Sequence, residues 1–182
     1  MDLPGVLTLI GLVVLIVIGV FALTKSGEET AKLRSAKVAD SVLGHYATRP
    51  GWSHVPSGDP VPAGRMSTAY DVKRRTAVAG THEGRAVRVA VFGSYVPNRA
   101  AGAQNGTATF GLVVAFDAPE LPADLRVDTG ARMFSELATY QVPAVDVGDG
   151  VACFTFTDLT VAEELDHVIG LTHDVVKALV AA

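Results

Sequence analysis

A single cysteine, Cys153, excludes an internal disulfide framework and any metal site built on several thiolates. Positive charge is not in surplus either. Fifteen Lys and Arg stand against 19 Asp and Glu, a net charge of −4, which argues against nucleic acid as a partner. No glycine-rich phosphate loop ending in Gly-Lys-Ser/Thr occurs, and Phe92-Gly93-Ser94-Tyr95 lacks the second glycine of a nucleophile elbow. His82-Glu83 has no histidine four residues on, so it is not the H-E-x-x-H zinc motif. His167 and His173 stand six apart on one expected helix, which leaves them about 120° out of line. Cys153, between Ala152 and Phe154, has no neighbouring base or helix start to lower its pKa, and reads as a small apolar filler. The sequence therefore predicts no catalytic residue, no cofactor and no metal site.

Charge is absent altogether from Leu3 to Thr24. At about 1.5 Å per residue this stretch is long enough for a bilayer core of about 30 Å. A cleaved signal peptide would start with basic residues and carry a shorter apolar run ending at a small-x-small site. Met1-Asp2 and Phe21-Ala22-Leu23-Thr24 do not fit that pattern, so residues 1–25 read as a retained transmembrane anchor. Lys25, Lys32, Arg34 and Lys37 follow the span and no basic residue precedes it, which places the C-terminal side in the cytoplasm. Thr8, Gly11, Gly19 and Ala22 fall on one stripe of the helical wheel, a candidate surface for another membrane helix.

The rest is long enough for one domain with its own core. Residues 26–50 read as a juxtamembrane helix opened by a capping box at Ser26 and Glu29, with an apolar face of Val38, Ala39, Val42, Leu43 and Tyr46. Residues 51–182 read as an α+β domain: a mostly antiparallel sheet packed by a C-terminal helix. Expected strands are Trp52–Val55, Arg75–Thr81, Arg85–Val96, Thr107–Phe116, Val142–Val147 and Val151–Phe156, with an edge piece at Leu125–Asp128. Glu83-Gly84 and Gly148-Asp149-Gly150 are hairpin turns. A short helix is expected at Ala131–Tyr140, packing Met133, Phe134 and Leu137. The last helix opens on a second capping box, Thr160 to Glu163, and buries Leu165, Val168, Ile169, Thr172, Val175, Val176 and Leu179.

Lys73, Arg74, Arg75 and Arg88 form the one positive concentration, a candidate contact for anionic lipid headgroups. Simple counting about the Glu83-Gly84 turn puts Arg75 and Arg88 on the same face. A solvated sheet edge, where charge deters unwanted pairing, is the favoured account of them.

Several phrases stand together in order: Ala47-Thr48-Arg49-Pro50-Gly51-Trp52, Lys73-Arg74-Arg75-Thr76-Ala77, Gly80-Thr81-His82-Glu83-Gly84-Arg85 and Phe92-Gly93-Ser94-Tyr95, with a Leu121-Pro122 to Val127 segment after them. With the N-terminal span they resemble a group of actinobacterial single-pass membrane proteins of unassigned function. The resemblance implies source and topology and carries no active site.

The expectation is a non-enzymatic, membrane-tethered interaction domain, an accessory subunit of a membrane protein complex. Its partners would be the lipid bilayer and another membrane protein. The alternative is a small-ligand or lipid-binding domain, with a cavity between sheet and last helix lined by Phe110, Phe116, Phe154 and Phe156.

Overall fold

The computed structural model describes residues 30–68, 71–97, 106–123, 125–130, 132–140 and 143–182, without side chains at 95–97 and 106–107. The uncharged run, with Thr8, Gly11, Gly19 and Ala22, lies outside the described residues. Among the described residues no helix is long and apolar enough to cross a membrane. Residues 30–34 fall in a separate N-terminal unit, and Ser35–Ala182 form one compact body.

Alternating and continuous apolar runs build a six-stranded, wholly antiparallel sheet. Its strands are β1 (Ser53–His54), β2 (Lys73–His82), β3 (Arg85–Pro97), β4 (Gly106–Asp117), β5 (Ala144–Gly148) and β6 (Val151–Phe156), in the order β1-β2-β3-β4-β6-β5. Two helices accompany it: α1 (residues 30–46) and α2 (Leu165–Ala181). Both tight hairpins place two successive residues at positive φ, Glu83 and Gly84 at 47° and 82°, Asp149 and Gly150 at 52° and 73°. That pairing matches the right-handed twist of the flanking strands.

The first hairpin does not keep the register that counting from its turn predicts. His82 faces Arg85 and Ala77 faces Ala90, yet Arg74 faces Phe92. One extra residue is absorbed between Arg74 and Ala77, and a one-residue slip moves a side chain to the opposite face. Arg75 is thereby turned to the helix side and Arg88 stays on the other. The expected shared face is therefore wrong, because the bulge intervenes. The turned Arg75 binds α1: its Nε and Nη2 donate to Asp40 Oδ2 at 2.8 and 2.6 Å, and its guanidinium stands 5.6 Å from the Phe110 ring centre.

The main core lies between the sheet and the helices. Val78, Val87, Val89, Val91, Leu112, Val114, Phe116, Phe154 and Phe156 face it from the strands. From α2 come Leu165, Val168, Ile169, Val175 and Val176, as their spacing predicts. From α1 come Ala36, Ala39, Leu43 and Tyr46, while Val38 points to solvent. The expected α1 stripe is thus rotated toward alanines, whose small side chains let a helix settle close against a sheet.

The opposite face is also covered. Ala77, Ala90, Phe92, Val113, Ala115 and Cys153 pack with Met66, which a 3-10 turn (Gly64–Thr68) presses onto them. Val55, Val61 and Ala63 from the proline-rich stretch complete this second core. Three other sequence expectations are corrected. Residues 125–128 form no strand. Residues 132–140 make two 3-10 turns that bury Phe134 and Leu137 but leave Met133 exposed. Asp158, not Thr160, caps the last helical region, accepting from the Thr160 amide at 2.9 Å and leading into a 3-10 turn before α2.

Besides the Arg75–Asp40 pair, an aromatic contact and a set of hydrogen bonds join α1 and its C-terminal turn to the body. Trp52 meets Tyr46 edge-to-face at 4.5 Å and lies flat against Gly80, where a Cβ would stand 2.5 to 2.9 Å from three indole atoms. The Tyr46 hydroxyl donates to Asp166 on α2, and Arg49 Nη1 donates to both Asp166 oxygens at 2.7 Å. Those bonds, Arg49's first, hold the Asp166 carboxyl below the usual carboxylate range. Burial, then the bond to Asp166, pushes the Tyr46 phenol up.

Two outcomes follow. Gly80→Ala displaces the indole and costs about 1–3 kcal/mol, the usual range for overpacking. As Trp52 is the only tryptophan, its fluorescence reports the displacement directly and chemical denaturation gives the cost. Because the Asp166 pKa is depressed on folding, its contribution is present above the unfolded carboxylate pKa of about 3.9 and is lost as pH falls through the lower folded value. Asp166→Asn therefore lowers the melting temperature at pH 7, and the gap to the wild type closes below about pH 4.

Candidate functional site

The β2–β3 turn and the second half of α2 meet at one end of the sheet, and there the chain gathers side chains that no local motif announces. His82 is the last residue of β2, on the helix side. Glu83 opens the turn, and His173 projects from α2 onto the sheet. The donor atoms of His82, Glu83 and His173 all lie within 4.8 Å of one another. The two imidazoles meet edge-to-face at 5.1 Å, and His173 also rests on Phe116 with ring centres 5.5 Å apart.

His173 is 3 % exposed, and its Nδ1 is buried without a hydrogen-bond partner; Glu83 Oε2 stands 3.5 Å away. A buried polar atom left in this way costs about 1–3 kcal/mol. Burial foremost, then the neighbouring Lys177 and His82, lowers the His173 pKa, so the ring is neutral near pH 7 and carries a free lone pair. Lys177, one turn further along α2, reaches Glu83 Oε2 at 3.2 Å and Asp174 at 2.7 Å.

A cleft of about 570 Å³ opens on this group, with Glu83, Arg85, Asp117, Glu120, His173 and Lys177 among its lining residues. Arg85 donates to the Asp117 carbonyl at 2.6 Å and to the Glu120 carboxylate, whose pKa that bond lowers. The cleft thus has a polar rim, and His173, whose Nδ1 is buried and unpartnered, is among its lining residues.

The basic residues singled out from sequence are divided by the bulge. Arg75 pairs with Asp40 on the α1 side. On the other face Arg88 pairs with Asp117, and Arg74 donates to the Asp59 and Pro56 carbonyls of the covering loop. Lys73 stands 3.5 Å from Asp71 at the start of β2. Lys73 and Arg74, with His54, Val55 and Ser57, line a second surface cleft.

Cys153 sits in the second core, and burial foremost raises its thiol pKa to about 11, with the Asp146 charge adding to the effect. Almost none of it is thiolate at neutral pH, so it is a poor nucleophile. Phe116, Phe154 and Phe156 are fully buried, with Phe116 and Phe154 edge-to-face at 6.5 Å. Phe110 lies at the margin of that core, beneath Arg75. His167 is exposed beside Tyr140, 6.2 Å between rings, and does not join His173.

Sequence reasoning missed the His82, Glu83 and His173 trio because its members come from a hairpin turn and a helix some 90 positions apart. One signal was available. His173 follows Thr172 and precedes Val175 and Val176 on the apolar stripe, so a titratable ring was due to face the sheet. Comparison of the chain with protein-family models, curated proteins and solved structures finds no match.

Proposed function

We propose that the chain is a membrane-tethered, non-enzymatic interaction domain that serves as an accessory subunit of a membrane protein complex. The uncharged run Leu3–Thr24 carries this reading, because it would confine whatever follows to a bilayer surface. The α+β body adds support. Its phenylalanines are spent on packing one another and α2, which favours recognition through the outer surface over a ligand held between sheet and helix. The stripe of Thr8, Gly11, Gly19 and Ala22 is the proposed contact with a partner helix. Of Lys73, Arg74, Arg75 and Arg88, exposed Lys73 at the start of β2 is the one best placed to meet anionic headgroups. Its pair with Asp71 is the longest and most exposed of their ion pairs, and Arg74 is held by two loop carbonyls.

The body is proposed to lie on the cytoplasmic side, following the basic residues after the span. Alkaline phosphatase fused after Ala182 should then be inactive in a bacterial host, and high activity reverses the orientation. Purification in mild detergent should bring down a second membrane protein in fixed ratio. Gly11→Leu with Gly19→Leu, which fills the stripe without shortening the span, should release it. Recovery of this chain alone from its native membrane counts against the accessory-subunit reading.

A further inference from the structure

A metal ion at the turn end of the sheet is independent of the membrane reading, and three observations converge on it. Two imidazoles and one carboxylate bring their donor atoms within 4.8 Å of one another. His173 Nδ1 is buried and unpartnered, and His173 is one of the residues that line an open cleft. The third observation is the turn. Both hairpins need a residue at positive φ before their glycine; one uses Asp149, a residue type suited to it, whereas the other uses Glu83, which is not. A glutamate held in that backbone conformation has its carboxylate aimed across the turn at α2, where its oxygen lies 3.5 Å from His173 Nδ1.

We propose that His82, Glu83 and His173 bind one divalent transition-metal ion of the zinc class. Two nitrogen donors with one oxygen suit zinc and its first-row neighbours, whereas calcium and magnesium prefer oxygen throughout. A tetrahedral zinc ion with ligands at about 2.0–2.2 Å separates its donors by about 3.4 Å, so each donor moves inward by about 1 Å or less. Exposed Glu83 and partly exposed His82 have the freedom to do so. Glu83 and His173 line the cleft, and the fourth position of a tetrahedral ion would fall to water. Lys177 opposes the ion: its ammonium occupies Glu83 Oε2 at 3.2 Å, and must swing to Asp174, already 2.7 Å away, when metal enters. Bound metal would tie the β2–β3 turn to α2.

The test is zinc titration of the detergent-solubilised full chain against a chromophoric chelator at pH 7.5, with cobalt absorption reporting the ligand geometry. One zinc per chain is expected, with a rise in melting temperature that chelation reverses. His82→Ala, a partly exposed position whose loss leaves the core intact, should weaken binding by at least about tenfold, the cost that losing even an outer-shell partner carries. Glu83→Gln should weaken it, and Lys177→Met, which frees the carboxylate, should tighten it. Replacing exposed His45, His54 and His167 together should change nothing. The proposal fails if zinc does not bind in a one-to-one ratio. It fails equally if His82→Ala binds as the wild type does, or if the triple replacement abolishes binding.

Discussion

Strands β3 and β4 are apolar on both faces over their middle thirds, and that constraint organises the rest of the fold. Val87 to Phe92 and Leu112 to Phe116 contain one charged residue between them, Arg88, so neither face of the central sheet can be left to water. One face takes two helices, and the other takes a proline-rich stretch with Met66 as its plug. Pairing alone would leave either face exposed, and a sheet with one wet face would bury far less apolar area. The two cores differ accordingly. The strands and α2 fill the helix side mainly with Val, Leu, Ile and Phe, and the loop side holds Ala77, Ala90, Ala115 and Cys153 with three larger residues, Met66, Phe92 and Val113.

The same constraint explains how the charged residues are placed. Arg88 is the one cation in the central stretches of β3 and β4, and it reaches sideways along its face to Asp117 at the strand end. Arg75 would have sat on the loop side beside it. The bulge instead turns it to α1, where it makes a half-buried ion pair with Asp40. The irregularity thus docks the helix, and it leaves Arg74 on the loop side, where it binds the Asp59 and Pro56 carbonyls of the covering stretch.

Elements with strong periodicity were legible in the sequence: both tight hairpins, the central strands, and the buried stripe of α2. The misses have a common physical origin. A bulge leaves no mark in a run such as Arg74-Arg75-Thr76-Ala77, because alternation fails there for reasons of pairing and not of composition. The α1 face was misread because Val38 outranks Ala36 in hydrophobicity, while contact distance to a sheet rewards the smaller residue. Residues 56–63 form neither helix nor strand and 64–68 a single 3-10 turn, and nothing local shows that their few apolar side chains close a core. The trio at the turn end is of the same kind, a product of long-range pairing.

Local rules break at several of the described residues, the buried and unpartnered Asp40 Oδ1 and Asp146 Oδ2 among them, and they do not weigh equally. The bulge at Arg75 has a structural use, since it carries an ion pair to α1. Glu83 occupies a backbone conformation that asparagine or aspartate would hold with less strain, and its carboxylate reaches across the turn to Lys177 and His173 of α2. His173 brings a desolvated, unpartnered nitrogen to a position where leucine would pack against Phe116 at no such cost. Two unrelated departures that serve no packing purpose fall within 3.5 Å of each other, at the rim of one cleft. Departures from local consistency gather where something other than folding has set the residue, and this end of the sheet is where they gather here.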